Sequence, residues 1–540
     1  MLAVILSFSL SFLAAIYAPV SLYLLNVDEF SYDVYDLLKM MLPVFGGMLA
    51  LLLVFSGFVV LIGKKWKKLP SVWAGILFVG FLTAYIQGTF LAGHLPVLTG
   101  DEIDWGRYPV QRLASILLWI TVISLTLFVF KKRNGKKIIA AVSGLITLML
   151  IFSLMLTGLT TDGFRAKTDY ITTFNGISEL SGDKNLVVFL ADAVAASKYE
   201  ELLEKHPEYR EGLEDFTYYG NTLGGYPYTT RSIPLIITGR WYENNGSFYS
   251  FCNEAYRDFP LLHVLQEGGY RINLYEEEIL LTEENMHLLS NTAKTDGSSF
   301  MYPAGFYKAQ AKLAGFRYLP FDLKPLCVIT PAKIANSSQR YNKTSIQYSG
   351  NNSYFYQNIC HTPITLCERP VFSFIHIAGA HTPFIYDRYV EESRDADYTT
   401  SVEASFTIML RYLDLLRRAG VYDNTAVVLL ADHGTNERMD PASADPTGRQ
   451  NPILFVKGIG EHHPYRESDA PVSFDDLQNA YLALLDGKTE KNVFSIGEDA
   501  LRQRRYLSYN LYDYTLTEYL QQGEASDPDT LKPTGVVYRE

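Results

Sequence analysis

The chain has 540 residues, too many for one ordinary domain, and its formal net charge is −11, from 47 lysines and arginines against 58 aspartates and glutamates. This balance offers no basic face for nucleic acid. The composition changes near residue 160, because long apolar runs stand before it and short apolar runs alternate with polar stretches after it. We therefore expect the part before residue 160 to lie in a membrane and the part after it to fold in water.

Five apolar runs precede residue 160, each near or above the ~18 to 20 residues that a helix needs to cross the hydrocarbon layer. They cover residues 2–25, 38–63, 70–94, 112–130 and 138–158. The first run lacks the basic start of a cleavable signal peptide, and further runs follow it. We predict an α-helical transmembrane domain with five helices over residues 1–160.

Charged residues in the loops between these runs predict the orientation. The loops at 64–68 and 131–137 carry lysines and arginines, whereas those at 28–36 and 101–104 carry aspartates and glutamates. Lysine and arginine collect on the cytoplasmic side, so the first two loops should be inside. Five crossings then place residues 161–540 outside the cytoplasmic membrane of a bacterium.

Residues 161–540 alternate β-rich runs with helical stretches, which predicts an α/β domain with a largely buried sheet. The predicted strands are 185–193, 270–276, 371–377, 425–434 and 451–458. An amphipathic helix is predicted over 401–419, ended by Gly420. A tyrosine-rich tail from about residue 500 predicts a small antiparallel subdomain, while 280–360 is either an inserted subdomain or long loops. Ligands of open α/β sheets bind at the carboxyl ends of strands.

Acidic and histidine residues follow two of the predicted strands. Asp192 ends the first, where a buried carboxylate needs a partner or a metal, although a helix N-cap is an alternative. Asp432 and His433 follow another strand and can reach one ion only from a turn, which Gly434 permits. An aspartate with a histidine favours zinc or manganese over calcium.

Two histidines lie in the segment FIHIAGAHTPF, His376 within a predicted strand and His381 in the loop beyond it. His381 is the better placed to bind a phosphate oxygen or to carry a proton to a leaving alcohol. A core or surface histidine without a chemical role is the alternative for both. Because these two histidines lie at the end of a third predicted strand, we favour a chemical role for them.

The segment YPYTTRSIPLIITGR predicts a helix that begins within residues 229–232, because Pro234 is tolerated in the first turn of a helix. A threonine there could cap the helix or sit at an anion site, to which Arg231 would add a guanidinium. A threonine hydroxyl is a weak nucleophile unless a base or a metal lowers its pKa. The aspartates and His433 could hold that metal.

Four segments in this order, VVFLADA, YPYTTRSIPLIITG, FIHIAGAHTPF and LDLLRRAGVYDNTAVVLLADHG, resemble the sulfatase and alkaline phosphatase superfamily. The membrane branch of that superfamily contains phosphoethanolamine transferases and lipoteichoic acid synthases. These proteins pair five membrane helices with an outside catalytic domain, so the resemblance covers nearly the whole chain. It implies a sulfatase-like (alkaline phosphatase-like) α/β fold for residues 161–540.

The resemblance also implies roles for single residues. Thr229 takes the place of the nucleophile, and His381 that of a histidine that contacts the phosphate group, while His376 is a weaker match and would bind substrate. One divalent metal, zinc or manganese, would be bound by four residues: Asp192, Thr229, Asp432 and His433. The implied activity is transfer of a substituted phosphate group from a phospholipid donor to an envelope glycan or lipid acceptor. A phosphodiesterase or sulfatase-type hydrolase and a non-catalytic envelope-binding protein are the alternatives.

Three positions depart from the family pattern. Thr229 replaces the cysteine or serine that true sulfatases oxidise to formylglycine, which disfavours that route. Ile377 replaces an aspartate of the two-metal relatives, which puts a complete second metal site in doubt. Arg449 stands where the transferases have a histidine, with His462 and His463 further on, so it either supplies that positive charge to the substrate or accompanies a different headgroup.

All four cysteines, Cys252, Cys327, Cys360 and Cys367, fall after residue 160. Disulfides persist outside the cytoplasm, and four cysteines allow three pairings. Free thiols are the alternative.

Overall fold

The computed structural model describes residues 1–27, 30, 32–96, 98, 103–161, 163–166, 170–246, 248–277, 283–295, 300–339, 345–435, 448–487, 493–510 and 515–539. The chain forms two compact units. Unit 1 comprises Met1–Lys167 and Gly297–Arg340, and unit 2 comprises Thr168–Asp296 and Tyr341–Glu540. The chain therefore passes between the units three times.

Unit 1 contains five helices that are long and apolar enough to cross a membrane, as the sequence predicts. They are Leu2–Leu25, Val34–Ile62, Leu69–Phe90, Pro109–Phe130 and Gly135–Thr160. The first includes a π-helical turn at Leu13–Tyr17. The second begins earlier than predicted, because Asp33 caps it by accepting a hydrogen bond of 2.9 Å from the backbone N–H of Asp36.

Residues 300–339 belong to unit 1, although they lie far along the sequence from its other helices. They form the helices Pro303–Tyr318 and Pro331–Ser337, with the 3₁₀ helix Phe321–Cys327 between them. Phe300 and Phe306 pack in one apolar cluster with aromatic residues that follow the first membrane-type helix. The predicted boundary between 1–160 and 161–540 did not anticipate this return of the chain.

Unit 2 is built on a seven-stranded sheet. In chain order its strands are β1 (Asn185–Ala191), β2 (Thr217–Tyr219), β3 (Arg271–Tyr275), β4 (Val371–Ile377), β5 (Thr425–Leu430), β6 (Leu454–Lys457) and β7 (Arg466–Ser468). Their order across the sheet is β7-β2-β6-β5-β1-β4-β3. Strands β5, β1, β4 and β3 are parallel, whereas β6 runs antiparallel to β5. All five predicted strands are present, and their carboxyl ends in the parallel part meet at one edge.

Both faces of this sheet are covered. Alternate residues of β1 enter two separate apolar clusters, Leu186, Val188 and Leu190 in one and Val187, Phe189 and Ala191 in the other. The covering helices of eight or more residues are Ala196–Lys205, Thr229–Thr238, Phe248–Arg257, Pro260–Glu267, Asn352–His361, Tyr398–Arg418 and Leu477–Leu485. The predicted amphipathic helix begins at Tyr398, three residues before its predicted start, because Asp397 and Thr400 form a capping box.

Smaller sheets complete unit 2. Tyr170–Thr172 pairs with Thr292–Lys294, Glu179–Ser181 with Thr365–Cys367, and Thr222–Leu223 with Val472–Ser473. The tail forms the expected antiparallel sheet from Arg504–Tyr509, Leu516–Gln521 and Leu531–Tyr538.

The four cysteines are free thiols in this structure. Of the two alternatives that the sequence left open, disulfides or free thiols, the structure has free thiols.

Candidate functional site

Asp192 stands directly after β1, on a turn that several contacts fix. The next residue, Ala193, has a left-handed backbone with φ of 59°, and its N–H donates to Asp432 Oδ1 at 3.1 Å. The Tyr398 hydroxyl donates to the Ala193 carbonyl at 2.9 Å and accepts from the Ala195 N–H at 3.0 Å. These contacts hold the Asp192 carboxylate, which is buried, at the carboxyl edge of the sheet.

Asp432 and His433 follow β5, the parallel neighbour of β1, so they reach the same edge. His433 Nε2 lies 3.4 Å from Asp432 Oδ2 and 3.7 Å from Asp192 Oδ1. His433 Nδ1 lies 2.7 Å from the Gly434 carbonyl oxygen, which can only accept, so Nδ1 carries a proton. The lone pair of a neutral His433 ring is therefore on Nε2, between the two carboxylates.

Thr229 brings a hydroxyl to these groups. It is the first residue of the helix Thr229–Thr238, and its Oγ1 donates to Asp192 Oδ2 at 3.2 Å and lies 3.5 Å from His433 Nε2. Tyr228 occupies the N-cap position, so the alternative of a threonine cap is wrong for both threonines. The helix starts where predicted, but Pro234 lies inside it rather than in its first turn, which leaves the Thr230 carbonyl without the usual N–H partner.

The donor set of this cluster fits a divalent metal. Asp192 Oδ1 and Asp432 Oδ2 are buried and have no well-oriented hydrogen-bond donor among the described residues. Isolated buried charge is costly, and a cation would compensate it. One ligand atom each from Asp192, Asp432 and His433 lies within 4.8 Å of the others. Two carboxylates, an imidazole nitrogen and the Thr229 hydroxyl suit zinc or manganese.

Charges around the cluster set its protonation. Burial by itself would raise the pKa of Asp192, but His381, His376 and His433 hold that pKa well below its usual range. Burial, together with the charge of Asp192, raises the pKa of Asp432. Burial lowers the pKa of His433 and favours its neutral ring. A charged carboxylate beside a neutral imidazole is the state in which such side chains can bind a metal.

His376 lies behind Asp192, and its partner is a residue that the sequence analysis missed. His376 Nδ1 donates to Glu276 Oε2, and its Nε2 lies 3.6 Å from Asp192 Oδ2. Burial disfavours a charged ring, but Glu276 and Asp192 outweigh burial and raise the pKa of His376 well above its usual value. This geometry favours His376 as a support for Asp192 over direct substrate binding. Glu276 is the last residue of the predicted strand 270–276. The criterion that selected Asp192, a carboxylate at the end of a predicted strand, would also have selected Glu276.

The loop after β4 is anchored on Asp192 and carries His381. The Ala380 N–H donates to the Asp192 carbonyl at 2.9 Å. Gly379 has φ of +55°, and a Cβ on it would stand 2.4 Å from Asp192 N. His381 Nδ1 lies 2.6 Å from the Thr382 carbonyl oxygen, so a neutral ring presents Nε2 as a base. His381 is partly exposed, and its charge acts on Asp192. Its predicted contact with phosphate stays a prediction.

Two arginines that the sequence analysis selected contact the start of the helix Thr229–Thr238 or its surroundings. Arg231 is 4% exposed, and its guanidinium carbon lies 3.7 Å from the centre of the Phe248 ring, with Tyr242 and Tyr509 nearby. Arg449 donates to the Pro227 carbonyl at 2.7 Å, two residues before Thr229. These contacts explain how both arginines position the helix start. Their predicted binding of substrate stays a prediction.

A family model described as Sulfatase matches residues 184–487, more than half of the chain and all seven strands of the sheet. The chain belongs to the sulfatase family. Its architecture is thus five apolar N-terminal helices followed by a sulfatase-like α/β domain. No curated protein matches the chain.

Solved structures of the superfamily are similar at low identity. A protein of the alkaline phosphatase superfamily from Vibrio parahaemolyticus is 16% identical, with 68% of this chain and 80% of that chain covered and a TM-score of 0.38. The lipoteichoic acid synthase LtaP from Listeria monocytogenes is 12% identical, with coverages of 67% and 88% and a TM-score of 0.36. The periplasmic domain of EcEptC from Escherichia coli, a complex with Zn, is 13% identical, with coverages of 65% and 92% and a TM-score of 0.34. The family assignment rests on the family model.

Proposed function

We propose that the protein is a membrane-anchored, metal-dependent phosphotransferase. It would move a phospho-alcohol headgroup, of phosphoethanolamine or phosphoglycerol type, from a phospholipid to a glycan or lipid of the cell envelope. The observation that carries the proposal is the Thr229 hydroxyl, which donates to Asp192 inside a cluster of buried metal-ligating groups. Five apolar helices would anchor the chain beside the lipid donor. The loop charges predict that the catalytic domain lies on the extracytoplasmic side.

The chain's own residues can carry both steps. When bound by Asp192, Asp432, His433 and Thr229, a zinc or manganese ion would lower the pKa of the threonine hydroxyl. Thr229 Oγ1 gives its proton to water and forms a bond to phosphorus, and the bond from phosphorus to the diacylglycerol oxygen breaks. His381, which holds a second proton on Nε2 at the start of this step, gives that proton to the leaving oxygen.

The second step reverses these proton movements. The acceptor hydroxyl attacks the phosphothreonine and gives its proton to His381, while the Thr229 oxygen leaves phosphorus and regains a proton from water. A hydrolase would use water in place of the acceptor hydroxyl. The chemistry of the site is the same for both, so the acceptor decides between them.

Intact-protein mass spectrometry after incubation with phospholipid and metal tests the nucleophile. We expect a mass increase equal to one phosphorylated headgroup, and no increase in Thr229→Ala. Thr230→Ala is the matched control, because it removes the neighbouring hydroxyl from the same helix. An adduct that survives in Thr229→Ala, or one lost only in Thr230→Ala, contradicts this mechanism.

Product analysis separates transfer from hydrolysis. With an isotopically labelled headgroup, a transferase leaves the label on an envelope acceptor, and the free headgroup decreases as acceptor is added. Release of free headgroup at the same rate with and without an envelope extract would identify a hydrolase. Elemental analysis of the purified protein checks that zinc or manganese is bound and that Asp432→Ala removes it.

A further inference from the structure

Unit 1 exposes three leucines in the short stretch that follows the helix Pro303–Tyr318. Leu319, Leu323 and Leu326 are 39%, 43% and 73% exposed. The latter two lie on the 3₁₀ helix Phe321–Cys327, where side chains three residues apart point to the same side. Adjacent exposed leucines are unfavourable in water and indicate contact with an apolar partner.

Hydrogen bonds from this stretch and from the last turn of the helix before it join it to two membrane-type helices. The Phe321 N–H donates to Ser115 Oγ at 3.1 Å. Ser115 is six residues into the helix Pro109–Phe130, and Arg317 Nε donates to the carbonyl of Gly88, near the end of the helix Leu69–Phe90, at 3.0 Å. Both helix ends that the stretch contacts therefore belong to one side of the predicted membrane.

The position of Ser115 gives the depth of the stretch. Six residues of helix rise about 9 Å, and the 22 residues of this helix span about 33 Å against a hydrocarbon layer of about 30 Å. The Phe321 backbone consequently lies level with the outer part of the hydrocarbon layer. The leucines beside it lie at the level of acyl chains and not of bulk water.

A buried lysine satisfies backbone carbonyls beside the stretch that would otherwise need water. Lys324 is fully buried, and its Nζ donates to the carbonyls of Phe316 and Arg317 in the last turn of the preceding helix. Helix-end carbonyls normally bond to water, and leaving them unpaired in lipid is unfavourable. A lysine turned inwards onto these carbonyls therefore suits a helix end that lipid surrounds.

Interfacial residue types flank the leucines. The Trp105 ring packs on Phe321 with a centroid distance of 5.5 Å. Arg112 and Asp322 form an exposed ion pair of 2.7 Å beside it. Tryptophan and charged groups at this level are typical of the boundary between headgroups and acyl chains.

We propose that Leu319, Leu323 and Leu326 form a leucine wedge that inserts among the acyl chains of the leaflet at this end of the helices. Its partner is the phospholipid bilayer itself. The wedge belongs to the segment Gly297–Arg340, which is inserted in the sequence between β3 and β4 of unit 2. It would give the chain a membrane attachment within the sulfatase match, in addition to the five helices, whatever reaction the site performs.

Site-directed fluorescence in lipid nanodiscs tests the wedge in the full chain. A polarity-sensitive fluorophore is attached to Leu326→Cys in a background with Cys360→Ser and Cys367→Ser, since Cys252 and Cys327 are buried. The unmodified background measures any labelling of these two. Leu501→Cys is the matched control, because Leu501 is 90% exposed and lies in unit 2.

We expect a blue-shifted emission at position 326 and loss of most of the fluorescence when the lipids carry a doxyl quencher near the headgroup. Iodide in the buffer should quench position 501 and leave position 326 bright. Quenching of position 326 by iodide overturns the proposal, because the leucines are then in water. Protection from both quenchers overturns it as well, because a second copy or another protein then covers the wedge. Leu323→Cys repeats the measurement if the first label prevents insertion.

Discussion

Replacing Gly379 by alanine tests whether the loop after β4 holds Asp192 in place. The new Cβ would stand 2.4 Å from Asp192 N and 2.5 Å from Asp192 O, closer than Cβ atoms approach backbone, and φ at this position is +55°. A left-handed alanine costs about 1–2 kcal/mol, and overpacking adds about 1–3 kcal/mol. The expected loss of stability is therefore about 2–5 kcal/mol, with weaker metal binding because the displaced backbone carries the Asp192 carboxylate.

Gly420 provides the matched control. It also has a left-handed backbone, with φ of +71°, but a Cβ on it would meet no atom within 4 Å. Gly420→Ala should thus show the backbone cost of about 1–2 kcal/mol without the contact. Thermal unfolding midpoints of the two variants and zinc titration by calorimetry make the comparison. Equal losses in the two variants, with unchanged zinc affinity in Gly379→Ala, would refute the reasoning.

Two further predictions concern buried charged groups. Glu276→Gln should weaken metal binding about 10- to 100-fold in a zinc titration, because His376 loses the carboxylate that orients it towards Asp192; an unchanged affinity would show that His376 needs no such support. Burial lowers the pKa of Lys457 from its ordinary value of 10.5 to about 8. Between these two pH values the unfolded chain holds a proton that the folded chain has released, so Lys457 should make stability rise with pH across this window. Denaturant unfolding at pH 8 and 10 should show this rise relative to Lys457→Met; the same pH dependence in both proteins would contradict the assignment.

The sequence predicts the strands of the sheet well because each is a short apolar run between polar segments. Acidic and histidine side chains at the ends of these runs then indicate the candidate site. Asp192, Asp432 and His433 follow strands β1 and β5, which are parallel neighbours, so one strand-end rule brings all three together. The location of Thr229 follows from the helix start. The family match then covers these same segments.

Other features depend on contacts that no local pattern displays. The Glu276–His376 bond joins two residues that are 100 positions apart in the sequence. A glutamate at the end of an apolar strand does not by itself indicate such a partner. The aromatic surroundings of Arg231 come from two distant parts of the chain, Tyr242 and Phe248 from one and Tyr509 from the other. Pro234 shows that a short helix can keep a proline in its interior, against the local rule. Residues 300–339 belong to unit 1 because of tertiary contacts. The weak hydrophobic periodicity of this segment did not indicate them.

The three passages of the chain between the units determine how the protein can be divided. A fragment that begins at residue 168 would lack the N-terminal helices but would still contain Gly297–Arg340. Phe300 and Phe306, which are 4% and 0% exposed in the whole chain, would then lose their apolar neighbours. Such a fragment is expected to aggregate when it is produced. A soluble catalytic fragment needs that segment replaced by a short polar linker, so that only residues of unit 2 remain.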